Sequence, residues 1–173
     1  MSSIQKNMIK IAGVVKESIV DGPGIRYVVF TQGCPHNCLG CHNPETHDIQ
    51  GGKLVSIDKI AEDINNNPLL KGVTISGGEP FMQAENVSNL IGKVNRDKLD
   101  VIVYSGYTFE DLIKKSDINN NFMDLINNTD VLIDGKFEEE LKSQKLKFRG
   151  SLNQRAIDIK ESLSSGKTVL YDF

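Results

Sequence analysis

From residue 25 onward the sequence switches repeatedly between two periods, and that switching leaves few folds open. Short runs rich in β-branched and aromatic residues, IRYVVFTQ (25–32), GVTIS (72–76), DVIVYSG (100–106) and DVLID (130–134), have the composition of buried strands. Between them apolar residues recur at helical spacing: Ile57, Ile60, Ala61 and Ile64 behind Ser56 as N-cap, closed by NNNP (65–68), then Val87, Leu90, Ile91 and Val94. Thr108 opens a third helix, with Asp111 placed for a capping box, and a fourth helical stretch spans 122–126. Successive βα units predict a parallel sheet of about five or six strands, whose carboxyl edge collects the loops that follow them and is where such sheets bind ligands. A closed eight-stranded barrel takes roughly 250 residues, and this chain has 173. The expected architecture is therefore α/β, an incomplete, open β/α barrel forming one domain over residues 1–173, with its core at about 18–159. KFEEELKSQ (136–144) is expected to be helical and KTVLYDF (167–173) to form a last strand. The C-terminal tail then packs on the core or faces a partner.

Composition removes several functions. Twenty Lys and Arg against 23 Asp and Glu give a net charge of -3, with no long basic block, so nucleic acid is not an expected partner. The longest apolar runs, such as 11–15, fall far short of the roughly 18 residues a membrane span needs. MSSIQKNMIK (1–10) has no apolar core of a secretory leader, and the expected setting is the cytoplasm.

The chemistry concentrates after the first of these strands. All three cysteines, Cys34, Cys38 and Cys41, fall in QGCPHNCLGCHNPET (32–46), with His36, His42 and His47 among or just beyond them. Three thiols so close make a poor disulfide set, because a short loop removes little unfolded-state entropy and one thiol is left over. The run reads as a metal site, and spacing permits either zinc with three cysteines and a histidine or iron with sulfide.

Cys34-x-x-x-Cys38-x-x-Cys41 resembles the signature of the radical S-adenosylmethionine superfamily, and Gly77-Gly78-Glu79-Pro80 is similar to that superfamily's GGE element. The resemblance implies a 4Fe-4S cluster on Cys34, Cys38 and Cys41. One iron is left free of protein ligands to bind the amino and carboxylate groups of S-adenosylmethionine. Gly77, Gly78 and Glu79 are then expected at the methionine amino group. Where the superfamily usually carries an aromatic residue before the last cysteine, this chain has Gly40, so the adenine contact is expected from His42 and the backbone of Gly40, Cys41 and His42. Asp134 and Lys136 resemble an Asp-x-Lys pair in which the lysine holds the methionine carboxylate; Ser105 and Tyr107 are candidates for hydrogen bonds to ribose or methionine.

The flanks narrow the resemblance. SIVDGPGIRYVVFTQGC (18–34) is similar to activating enzymes of glycyl-radical proteins, with Asp21, Gly22, Pro23 and Gly24 as a turn before the strand. VYSGYTFEDL (103–112) and DVLIDGKFEEELK with FRGSLNQR (within 130–155) resemble the activating proteins of anaerobic ribonucleoside-triphosphate reductase. That family implies reductive cleavage of S-adenosylmethionine and a glycyl radical on the reductase's large subunit, with a small flavodoxin or ferredoxin as electron donor. An activating enzyme for another glycyl-radical enzyme, such as pyruvate formate-lyase, and a non-catalytic zinc-binding module are the competing readings. FRGSLNQR is expected to serve structure or the partner interface, and neither Arg149 nor Arg155 is expected to be catalytic.

Overall fold

The computed structural model describes residues 7–173, and the apolar runs become, in chain order, β1 (Met8–Ser18), β2 (Arg26–Thr31), β3 (Lys53–Ser56), α1 (Ile57–Asn65), β4 (Gly72–Gly77), α2 (Ala84–Ile91), β5 (Asp100–Tyr104), α3 (Phe109–Lys115), α4 (Phe122–Asn127), β6 (Val131–Asp134), β7 (Arg155–Asp158) and α5 (Ile159–Ser165). Residues 1–6, part of the segment read for a leader, lie outside the described residues. The strands form one sheet in the order β3-β1-β2-β4-β5-β6-β7. Pairing is parallel from β2 through β4 and β5 to β6, and antiparallel at β1–β2, β1–β3 and β6–β7. The sheet is thus mixed and seven-stranded, where a parallel one of about five or six strands was expected. The parallel centre is the part built from βα units, and the antiparallel margins come from connections that need no crossover helix.

Side-chain alternation sorts the sheet into two faces. Tyr27, Val29, Val73, Ile75, Val101, Val103, Leu132 and Ile157 point to one side and join residues from all five helices in the main core. Ile60, Ala61 and Ile64 of α1, Val87, Leu90 and Ile91 of α2, and Leu112 of α3 are buried there, as their helical spacing predicts. Thr108 caps α3 by accepting from the Asp111 N–H at 3.2 Å, and Asp158 caps α5 by accepting from Glu161 N–H at 2.9 Å. The opposite strand positions, Ile102, Val131, Ile133 and Ala156, form a second, smaller cluster with Tyr104 and Phe173. On this helix-free face the Asp21–Gly24 turn is pinned by Arg26, which is wholly buried. Its Nε donates to Thr74 Oγ1 (2.7 Å), its Nη2 to the Val73 carbonyl (2.9 Å), and its Nη1 to the Pro23 carbonyl (3.3 Å).

Two expected elements are absent from their places. KFEEELKSQ holds only a 3-10 turn at Glu139–Leu141 with no buried residue, because three successive glutamates leave no apolar stripe for a helix to bury. KTVLYDF lies beside β7 with Tyr171 N–H donating to the Ala156 carbonyl (2.8 Å), but its pairing amounts to a single bridge between Leu170 and Ile157. Among the described residues no helix is long and apolar enough to cross a membrane.

Candidate active site

The carboxyl ends of β2, β4, β5 and β6 meet at one cavity of about 460 Å³. Beyond β2, Gln32 is buried and its Nε2 donates to the carbonyls of Glu45 (3.0 Å) and Asp48 (2.8 Å), while Gly33 N–H reaches the Thr46 carbonyl (2.8 Å). These bonds fold the cysteine run back on itself, and Asn37 (φ 48°) and Gly40 (φ 71°) take the left-handed turns inside it. Cys34, Cys38 and Cys41 are free thiols and all line the cavity. Burial pushes the Cys34 and Cys41 thiols above their ordinary value, and backbone N–H groups of His36 and Asn43 directed at the two sulfurs act in the opposite sense. Sulfurs that burial disfavours as free anions, already facing N–H donors, suit a soft, positively charged metal centre.

The two metal readings ask for different ligand spacings. One zinc ion about 2.3 Å from each ligand needs ligand atoms within roughly 4 Å of one another. Among the described residues no three His, Cys, Asp or Glu side chains are so grouped. His36 is bonded to Glu79 through Nε2, so one of the three histidines that could complete a zinc site is otherwise engaged. A cluster that meets each cysteine through a different iron asks for wider spacing.

Glycines 77 and 78 serve the approach of two chain segments. A Cβ on Gly77, at φ 91°, would lie 2.6 Å from the Thr31 nitrogen, and one on Gly78 would lie 2.3 Å from the Gly33 carbonyl oxygen. Their absence lets Gly78 N–H reach the Thr31 carbonyl and Glu79 N–H the Gly33 carbonyl, both at 2.8 Å. The end of β4 is thereby laced to the start of the cysteine loop.

Glu79 is wholly buried, and its carboxylate is turned into the fold. It accepts from Phe81 N–H (3.0 Å), Gly106 N–H (2.9 Å), the Ser105 hydroxyl (3.0 Å) and His36 Nε2 (2.8 Å), which fills about the number of lone pairs a carboxylate offers. Gly106 is glycine because the His36 ring occupies the place of its Cβ, 2.3 Å away. Tyr107 packs edge-on against that ring at 4.6 Å. Ser105 and Tyr107, candidates for a ligand contact, here organise Glu79 and His36.

The remaining expected residues divide. His42 and Lys136 line the cavity, whereas Gly40 backs onto the Glu139 carboxylate, which a Cβ there would strike. Asp134 parts from Lys136: it is buried, accepting from Phe109 N–H (2.8 Å) and from Arg155 Nε (3.0 Å). Arg155 also forks onto Glu110 through Nη1 (3.1 Å) and Nη2 (2.6 Å). This hydrogen bonding pulls the Glu110 carboxyl from its ordinary 4.5 down to about 2. A folded value below the unfolded one means stability that is present above about pH 4.5 and is lost as pH falls toward 2. Urea unfolding of Arg155→Met should therefore show a deficit at neutral pH that narrows on acidification; a deficit independent of pH would remove Glu110 from the account.

Among the residues lining the cavity are Phe137 and Phe148, to which the sequence assigned no role, and Arg149, which it placed with structure or the partner interface. A signal existed. From Lys142 to Arg155 the chain carries five cations and no carboxylate, in a protein of net charge -3.

Comparison with known proteins places the chain among relatives. A family model described as a 4Fe-4S single cluster domain matches residues 20–157. The anaerobic ribonucleoside-triphosphate reductase-activating protein of Enterobacteria phage T4 is 35% identical over 142 residues, covering 79% of this chain and 85% of its own. The protein of the same name from Escherichia coli (strain K12) is 36% identical over 145 residues, covering 79% and 90%. Among solved structures, QueE from Escherichia coli overlaps 62% of this chain and 57% of its own at 14% identity and a TM-score of 0.43.

Proposed function

The chain belongs to the family of anaerobic ribonucleoside-triphosphate reductase-activating proteins, and from that premise we propose that it installs a radical on a glycine of such a reductase's large subunit. The convergence of Cys34, Cys38 and Cys41 on the cavity bordered by the ends of β4 and β5 carries this reading. When held by these thiols, a 4Fe-4S cluster with one iron free of protein ligands supplies the electron for reductive cleavage of S-adenosylmethionine to a 5'-deoxyadenosyl radical, which takes hydrogen from the glycine.

The chain's own residues bind, orient and shield. Gly77 and Gly78 bring the backbone end of β4 beside the cysteine loop, where it borders the methionine amino group. Glu79 keeps loop and strand end in register through His36. His42, with the backbone of Gly40 and Cys41, offers the adenine contact, and Lys136 brings positive charge to the methionine end. The helix-free face of the sheet, unclosed between β3 and β7, admits the glycine-bearing loop, and the seated partner excludes water before the radical forms. A small flavodoxin or ferredoxin delivers the electron, in the cytoplasm.

Electron paramagnetic resonance of the anaerobically reconstituted, dithionite-reduced protein tests this directly. A cluster signal whose shape changes when S-adenosylmethionine is added is the expected result. A colourless protein holding one zinc and giving no signal would sink the reading.

A further inference from the structure

The cavity contains a cation whose ordinary partner is missing. Arg26, Arg96 and Arg155 each meet a carboxylate, on Asp100 (2.5 Å), Asp130 (2.7 Å) and Glu110 (2.6 Å). Arg149 has none among the described residues. Its one hydrogen bond runs from Nη1 to the Gln154 carbonyl at a long 3.3 Å, and its Nε is buried with no partner. An unpaired nitrogen shut away from water is costly unless something else accepts from it. Asp21, the one aspartate lining the cavity, is bonded to the Ser18 hydroxyl.

The chain is built to keep Arg149 there. Phe148 sits at φ 55°, a left-handed conformation that a bulky side chain disfavours. Tyr104 holds it by donating its hydroxyl to the Phe148 carbonyl at 2.7 Å. On the other side Gln154 Oε1 accepts from Gly150 N–H (2.8 Å) and Ser151 N–H (3.2 Å). Gly150 leaves room for Phe137 and His42, whose atoms would lie 2.8 Å and 3.3 Å from a Cβ. With the left-handed Phe148 clamped by the half-buried Tyr104 on one side and Gly150 packed against Phe137 on the other, Arg149 is fixed at the cavity wall beside the cysteine loop.

We infer that Arg149 is the carboxylate-binding residue of this cavity, taking the methionine carboxylate of S-adenosylmethionine in its planar fork of N–H donors. The inference rests on the S-adenosylmethionine reading above and assigns to Arg149 the principal role expected of Lys136. A guanidinium matches a carboxylate with two parallel hydrogen bonds, whereas the exposed Lys136 offers a mobile point charge.

Equilibrium dialysis of the cluster-loaded protein against S-adenosylmethionine and against its decarboxylated analogue tests this. The parent should prefer the carboxylate form. Arg149→Gln should weaken S-adenosylmethionine by about 10- to 100-fold and leave the analogue within about threefold of the parent, with cluster absorption and melting temperature unchanged. Arg149→Lys should recover part of the loss, and Lys136→Gln should cost less than Arg149→Gln. Equal weakening of both compounds, no weakening of either, or loss of the preference only in Lys136→Gln would overturn the assignment. A parent that binds neither compound would take down the S-adenosylmethionine reading itself, and the assignment with it.

Discussion

Cys38→Ala should abolish glycyl-radical formation and leave a protein that cannot be reconstituted with a full iron complement, while its sheet melts close to the parent temperature. Cys38 is half-buried on a loop outside the regular elements, and the core that holds the sheet together lies on the opposite, helix-covered face. Nothing in that packing depends on the thiol. The cavity does depend on it, because two remaining cysteines leave two irons without a protein ligand where one is intended. Residues that merely support metal ligands cost about 10- to 100-fold when changed, so removing a ligand should cost more than about 100-fold in radical yield. Iron analysis and the cluster's visible absorption, read beside the melting curve, make the check. A variant with parental iron and parental radical yield would remove Cys38 from the ligand set.

How much of this was legible beforehand depends on whether the signal was local. β2, β4, β5 and β6 and the helices between them announce themselves because each apolar run has one period and clear punctuation, such as Ser56 before α1 and Thr108 before α3. β1 is less visible: its antiparallel partners straighten a run whose alternation is broken at Gly13, where the pairing register shifts. β7 is four residues long and exists because β6 offers it an edge, which no window of sequence reports. The site divides in the same way. The three cysteines are close in sequence and line one cavity. Glu79 carries no mark of whether its carboxylate faces a ligand or the fold, and only the arrival of His36, Ser105 and Gly106 from two other loops decides it. Arg149 reaches the cavity through the turn at Phe148 and the clamp by Tyr104 and Gln154, contacts between residues up to 44 positions apart.

Glu79→Ala should be the most destabilising single substitution at the cavity. It would leave the Phe81 and Gly106 N–H groups, the Ser105 hydroxyl and His36 without their acceptor, in a place where Glu79 is wholly buried and the His36 side chain only 6% exposed. Breaking a buried hydrogen-bonded pair from one side costs about 3–5 kcal/mol, since each stranded donor keeps its desolvation penalty. Against a total of roughly 5–15 kcal/mol for a domain this is a large share, and it corresponds to a fall in melting temperature of about 10 °C. His36→Ala strands fewer groups and should cost clearly less. Because both residues serve one contact, the double variant should be more stable than the sum of the single losses predicts. The same cycle reports on function: the contact joins the cysteine loop to the ends of β4 and β5, so S-adenosylmethionine affinity should fall in both single variants even below their melting temperatures. If thermal unfolding shows Glu79→Ala as stable as the parent, or the two losses simply add, the carboxylate does not hold the loop, and its role passes back to direct contact with the ligand.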